Sequence, residues 1–230
     1  MRFFRFAASK TFMIHNEVKI NERQQKMDLG QHSAVYNMLS LGIASMLFTS
    51  IFLWFARERV LPKYRMAVMV SATVTSIAAY HYWRIFGQFA DGGTWNEGYR
   101  YADWLLTVPL LVAELVVVSG VSKAVAKKVT PRLVVGALLM IATGYPGEVA
   151  AHGSTERTVW GAISGAFMLY VLYELFAGEV GKALKSQAGE VGKKLNNVRY
   201  LLLFTWGIYP IFYILGDEKS WLAKQIGLSV

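Results

Sequence analysis

Residues 100–119 read RYADWLLTVPLLVAELVVVS, and this stretch decides the fold. From Tyr101 onward it is apolar over nearly the length that a helix needs to cross a membrane, about 20 residues. It nevertheless contains two acids, Asp103 and Glu114. Ionisable side chains inside a membrane span are costly and usually serve a function or form a pair. The stretch therefore predicts a transmembrane helix that carries working groups.

The rest of the chain has the composition of a membrane protein. It is 230 residues long, 54% apolar and only 17% charged, with a net charge of +9. Average soluble domains carry about 25% charged residues. Six apolar segments of spanning length alternate with polar connections, at about 34–55, 66–87, 101–119, 132–151, 158–177 and 198–215. The connections are short except for residues 178–197, which hold four lysines and which we predict to be a helix extension into water. We predict an all-α transmembrane helical bundle, in which a seventh span would fit by length although none is visible.

Two regions are predicted: a polar N-terminal tail over residues 1–33 and a transmembrane domain over residues 34–230. The tail contains basic residues and a short apolar stretch, so it is either a surface tail or a targeting segment. Cysteine is absent and the four histidines are scattered, which disfavours a metal site. We expect no metal and no nucleic-acid partner.

The orientation follows from the basic residues. The connections after the first, third and fifth spans hold 13 Lys and Arg, against five on the opposite side. By the positive-inside rule the richer side is cytoplasmic, which predicts a multi-pass cell-membrane protein with its N-terminus outside. The six basic residues of the tail argue the other way.

The polar residues of the third span share one face. Arg100, Asp103, Thr107 and Glu114 fall within an arc of about 60°, and the two acids are roughly 16 Å apart along the axis. One interpretation is a structural Arg100–Asp103 ion pair, with Glu114 reaching the membrane interface. The other is a proton relay with a carboxylate at each of two depths.

Two further features have a structural and a functional interpretation. His81 lies among aromatic residues of the second span, as a core histidine or as a functional one. Trp206, Tyr209, Pro210 and Tyr213 follow one face of the sixth span, and such a stripe is either helix packing or an aromatic box for an elongated apolar chromophore.

Three motifs resemble the microbial rhodopsins, and within that family the proton pumps of the proteorhodopsin and xanthorhodopsin type. They are RYADWLLTVPL at 100–110, GYPGE at 144–148 and WGIYP at 206–210, and the likeness runs from about residue 34 to the end. The resemblance implies the seven-helix microbial rhodopsin fold, with only six helices evident in this chain. It also implies all-trans retinal held as a protonated Schiff base.

The resemblance implies roles for five residues. Asp103 would be the counterion and proton acceptor, Glu114 the cytoplasmic proton donor and Thr107 the polar residue between them. Arg100 would modulate the exit side, and His81 would hydrogen-bond Asp103.

The resemblance also implies a retinal pocket. Leu111 stands where the family tunes colour, which suggests green absorption. Gly161 stands where the xanthorhodopsin-like branch admits a carotenoid antenna, although it could equally be a helix-packing glycine. The matching pocket positions are Trp104, Leu111, Met140, Gly144, Gly161, Ser164, Met168, Trp206, Tyr209, Pro210 and Tyr213.

One part of the family pattern is missing. The family attaches retinal to a lysine in the middle of the seventh helix, whereas this sequence has no lysine at the centre of any span. Lys219 and Lys224 lie in or beside the last loop and are poor substitutes. Residues 225–230 resemble the start of the seventh helix, so we expect a protein that continues past Val230.

The sequence therefore predicts a transporter rather than an enzyme: a light-driven outward proton pump. The alternatives are a photosensory rhodopsin, disfavoured by the donor carboxylate Glu114, and a non-photoactive truncated membrane protein. The expected partners are the lipid bilayer, protons and further copies of the chain in a homo-oligomer.

Overall fold

A computed structural model of the protein describes residues 32–91 and 96–215, and this part is helical, with no strand among these residues. The all-α class is confirmed. In chain order, the helices are α1 (32–56), α2 (Arg65–Ala90), α3 (Glu97–Val118), α4 (Lys123–Val149), α5 (Thr155–Phe176), the short α6 (Glu179–Ser186) and α7 (Gly189–Leu215).

Each of the six predicted apolar segments falls on a long helix, but two helices start well before the apolar residues. Helix α4 begins at Lys123 rather than near 132, and α7 begins at Gly189 rather than near 198. Both early turns contain lysines, and hydropathy does not detect such polar turns. The extension of α7 lies within the connection 178–197, which the sequence predicts to be helical, whereas that of α4 is not predicted. All but the last two residues of the predicted tail, and the segment 225–230, lie outside the described residues.

Side-chain caps determine where three of the helices begin. Asn96 accepts a hydrogen bond from Gly98 N and starts α3, and Ser122 accepts one from Val125 N and starts α4. Ser154 does the same for α5, with Arg157 N as the donor at 3.1 Å. A short polar side chain at this position satisfies a backbone N–H that has no partner within the helix.

The core lies around α4, which packs between α3 and α5. Its fully buried side chains include Val112 of α3, Leu133 and Ala137 of α4, and Val171 and Leu175 of α5. The outer faces expose large apolar side chains, for example Phe48, Phe52, Phe55, Phe204 and Phe212. Such continuous exposed apolar surface suits a bundle surrounded by lipid.

Three helical stretches are long and apolar enough to cross a membrane by length and composition alone: His32–Arg59, Glu97–Val118 and Thr155–Ser186. The last of these comprises α5, a break at residues 177–178 and α6. The chain is thus a multi-pass helical membrane protein.

Candidate functional site

The centre of the site is the polar face of α3. Asp103 and Thr107 are both buried, at 4% exposed each, although they lie on a helix that is otherwise apolar. Thr107 Oγ1 donates to the Asp103 backbone oxygen at 2.9 Å, which leaves the Asp103 carboxylate untouched. Among the residues the structure describes, Asp103 Oδ1 has no hydrogen-bond partner. A buried acceptor without a donor is unusual and requires an explanation.

His81 of α2 is the side chain that faces Asp103. Its Nδ1 lies 3.7 Å from Asp103 Oδ1 and 3.0 Å from the Ile77 carbonyl oxygen. Because a carbonyl oxygen can only accept, the Nδ1 hydrogen would be donated to Ile77, and 3.7 Å is too long for a second hydrogen bond. The two predicted site residues are therefore adjacent, while the predicted His81–Asp103 hydrogen bond is not formed in this structure.

Arg100 turns away from Asp103. Its guanidinium pairs with Glu97 one turn earlier and, at 3.3 Å, with Glu148 Oε1 at the end of α4, and it lies over the Trp104 ring. No Arg100–Asp103 ion pair occurs within the described residues, so the structural pair that the spacing had allowed is absent. Arg100 instead belongs to a charged cluster at the α3 N-terminus.

That cluster contains a residue which sequence reasoning missed. The sequence places Arg157 in the connection before the fifth span, among the five basic residues of the outer side, whereas in the structure it lies in α5 and is only 5% exposed. Its guanidinium donates to the Gly147 and Glu148 carbonyl oxygens at 3.1 Å each, reaches Glu148 Oε2 at 4.0 Å and stacks on Tyr213. The sequence feature that could have indicated it is Glu148 in the GYPGE motif, because an acid at the end of an apolar segment is expected to pair with a basic residue.

Glu114 lies near the other end of α3. It is half-buried, and its Oε1 accepts a hydrogen bond from Ser71 Oγ of α2 at 2.5 Å. Instead of extending to the membrane interface, the carboxylate is held between two helices. Asp103 and Glu114 thus occupy separate polar sites on one helix, roughly 16 Å apart along its axis.

Aromatic side chains cover the site between α3 and α7. The Trp104 and Tyr209 rings meet edge to face with centroids 4.9 Å apart, and Tyr101 contacts Trp104 at 5.1 Å. Trp206 packs at the border of the core, and Pro210 is half-buried in the same helix. The predicted stripe on the sixth span therefore contacts the third, although its face is partly open.

The predicted pocket residues of α4 and α5 also meet. Ser164 Oγ donates to the Met140 carbonyl oxygen at 2.8 Å, and a Cβ on Gly144 would lie 3.1 Å from Ser164 Oγ. Met168 packs against the buried core, and Leu111 on α3 is half-buried. These side chains form an apolar layer beside the aromatic group.

Gly161 and Gly147 form a notch for Tyr213. A Cβ on Gly161 would lie 2.7 Å from Tyr213 Cε1, and one on Gly147 would lie 2.5 Å from its Oη. Tyr213 Oη donates to the Arg157 carbonyl oxygen at 2.7 Å. Gly161 thus has the packing role that the sequence had offered as its alternative, and antenna binding at Gly161 stays a prediction.

Residues 33–228 match the model of the family described as bacteriorhodopsin-like protein. The chain belongs to this family of microbial rhodopsins. It is 34% identical over 173 residues to the green-light absorbing proteorhodopsin of the gamma-proteobacterium EBAC31A08, covering 75% of this chain and 68% of that protein. It is 39% identical over 132 residues to bacteriorhodopsin of Halobacterium salinarum, covering 56% of this chain and 48% of that protein.

Solved rhodopsins share the fold. Xanthorhodopsin, described as a light-driven ion pump with dual chromophore, superposes with a TM-score of 0.75 at 43% identity, over 80% of this chain and 79% of its own. Thermophilic rhodopsin superposes with a TM-score of 0.76 at 42% identity, over 82% of this chain and 80% of its own. The fold of this rhodopsin is thus the membrane bundle of these proteins. Xanthorhodopsin, described as an ion pump, is a transporter rather than a classical enzyme.

The lysines of the described helices all lie at one end of the bundle. They occupy the early turns of α4 and α7 and the short α6, with Lys63 in the connection between α1 and α2. None lies in the middle of a long helix, where the family attaches retinal, so the described residues contain no lysine at such a position. Lys219 and Lys224 lie outside the described residues.

Proposed function

We propose that this rhodopsin is a retinal-dependent, light-driven outward proton pump, with Asp103 as counterion and proton acceptor and Glu114 as proton donor. One observation carries the proposal. The buried Asp103 Oδ1 lacks a hydrogen-bond donor among the described residues, on the same helix face as a second carboxylate held by Ser71. Two acids at different depths of one span suit a proton acceptor and a proton donor. A purely structural ion pair would account for only one of them.

The site fits the cationic chromophore of the family. A buried carboxylate needs a positive partner, and neither His81 at 3.7 Å nor the diverted Arg100 supplies a hydrogen bond to it. Trp104 and Tyr209 would form an aromatic wall for an elongated apolar group, with Met140, Gly144 and Ser164 on the opposite helices. When bound, retinal supplies light absorption and an isomerisation that changes proton affinity at this point.

The protein side chains then account for the direction of transfer. Asp103 accepts a proton at its free oxygen, and the Arg100, Glu97 and Glu148 cluster beyond it offers charged groups on the route outward. Glu114 lies toward the lysine-rich end of the bundle, which the positive-inside rule makes cytoplasmic. It can return a proton to the centre and be reprotonated from that side. This orientation puts the N-terminus outside, as the sequence predicts.

The test uses cells that express the full reading frame and are supplied with all-trans retinal. Illumination should acidify the medium, and a protonophore should abolish the signal. Asp103→Asn should remove pumping, while the same exchange at the exposed Asp91 should leave it intact. Acidification that persists in Asp103→Asn would refute the acceptor role. Protein from the full reading frame that forms no visible retinal band would refute the function itself.

A further inference from the structure

An open apolar groove runs along the outer surface between α4 and α5. It has a volume of about 630 Å³ and lies outside the site described above. Its apolar lining combines two small residues, Gly136 and Ala166, with four larger ones: Val135, Leu139, Phe167 and Tyr170. The absence of a side chain at Gly136 lets the Tyr170 ring lie across it, at 3.1 Å from where a Cβ would be. Binding pockets for small ligands measure about 300–1,000 Å³, so the volume is sufficient for a ligand.

One end of the groove carries a positive charge without a partner. Arg132 lines this end together with Pro131 and is exposed. No ion pair of Arg132 occurs within residues 32–91 and 96–215. Lys128, four residues before Arg132 on α4, is paired with Glu179 at 3.9 Å, so its charge is offset. Glu174 of α5, four residues beyond Tyr170, is half-buried, and it forms no ion pair with Arg132 in the described part of the chain. Arg132 is therefore the cation at this end of the groove that has no acid paired with it.

We propose that this groove binds one anionic phospholipid, with an acyl chain between α4 and α5 and the headgroup phosphate at Arg132. The apolar lining suits the hydrocarbon, and the unpaired guanidinium suits a phosphate, which it can bind through two hydrogen bonds. Anionic lipids are attracted to basic residues at the membrane surface. A second copy of the chain is the competing occupant, and the experiment below separates the two by the effect of Ala166→Leu on the oligomeric state.

The experiment measures lipid retention by native mass spectrometry. Protein from the full reading frame is purified in a neutral detergent and incubated with phosphatidylglycerol or phosphatidylcholine of identical acyl chains. The wild type should retain one phosphatidylglycerol in preference to phosphatidylcholine. Arg132→Gln should weaken this retention about fivefold, the factor expected for one basic residue near an anionic lipid. Ala166→Leu, which adds bulk in the groove, should weaken the retention of phosphatidylglycerol by about fourfold for each acyl-chain methylene that it displaces.

Matched variants separate the groove from the surface in general. Arg59→Gln removes the same charge from another connection at this end of the bundle, and Ala44→Leu adds the same bulk to an exposed position of α1. Both should retain the lipid as the wild type does. Circular dichroism verifies that each variant is folded, and Ala166→Val replaces Ala166→Leu should that variant unfold.

Five outcomes would overturn the proposal. Equal retention of the two lipids would exclude recognition of charge, and equal loss in Arg59→Gln would indicate a diffuse basic surface. Retention unchanged in the folded Ala166 variant would place the lipid outside the groove. A dimer that Ala166→Leu dissociates would identify the groove as an interface between copies. Competition by inorganic phosphate alone would show that the headgroup, without the acyl chain, is what Arg132 binds.

Discussion

Replacing Arg157 by methionine should destabilise the bundle strongly. The side chain is only 5% exposed, and its guanidinium donates to two backbone oxygens of α4 at 3.1 Å each. Hydrogen bonds from a charged group contribute about 1.5–3 kcal/mol each, and a desolvated cation–π contact about 2 kcal/mol. The Arg157 guanidinium lies 4.1 Å from the Tyr213 ring centre. Because the methionine side chain recovers part of this energy by packing, we expect the free energy of unfolding to fall by about 3–5 kcal/mol. This is the range for breaking a buried charged pair.

Arg84 provides a matched control for Arg157→Met. It also donates to a tyrosine, Tyr99 Oη at 3.0 Å, and lies over that ring, but it is exposed. The free energy of unfolding would be measured in mixed micelles by far-ultraviolet circular dichroism. Arg84→Met should unfold at nearly the wild-type denaturant concentration and Arg157→Met well below it. Equal destabilisation by the two variants would refute the reasoning that burial makes the Arg157 contacts strong.

The remaining predictions concern the glycine notch and the donor carboxylate. Gly147→Ala and Gly161→Ala should each cost about 1–3 kcal/mol by overpacking against Tyr213. In a Tyr213→Phe background, the stability cost of Gly147→Ala should fall, because the added Cβ comes closest to the Tyr213 Oη. The stability cost of Gly161→Ala should persist, because there the added Cβ comes closest to a ring carbon of Tyr213. A double-mutant cycle that shows the same coupling for both glycines would contradict this geometry. Glu114→Gln should lengthen the photocycle by about 10²-fold or more through loss of an acid catalyst, measured by flash spectroscopy, with exposed Glu156→Gln as control. An unchanged lifetime in Glu114→Gln would remove Glu114 from the donor role.

The sequence predictions that agree with the structure are those that depend on the geometry of a single helix. Apolar length located six long helices, and the helical period placed Asp103 and Glu114 on one face of α3. In the structure both acids face α2, Asp103 through His81 and Glu114 through Ser71. The polar start of α4 was missed because hydropathy responds to the membrane and not to the cap at Ser122. The polar start of α7 falls within the predicted helix extension at 178–197.

Contacts between helices could not be read in the same way. Spacing made Asp103 a natural partner for Arg100, yet the partners of Arg100 are Glu97 and Glu148, because α4 ends beside the start of α3. Likewise, nothing in the order of residues places Ser71 against Glu114.

The amino-acid sequence was sufficient for the helical membrane class, for the position of a helix at each apolar segment and for the residues that share a face, because each depends on the regular geometry of one helix in an apolar solvent. Tertiary structure alone decided that Arg157 is buried, that Arg100 turns toward Glu148 and that Asp103 keeps an oxygen free. Those outcomes depend on the rotation and depth of each helix against its neighbours. Side-chain packing sets both, and residue spacing along one chain does not encode either.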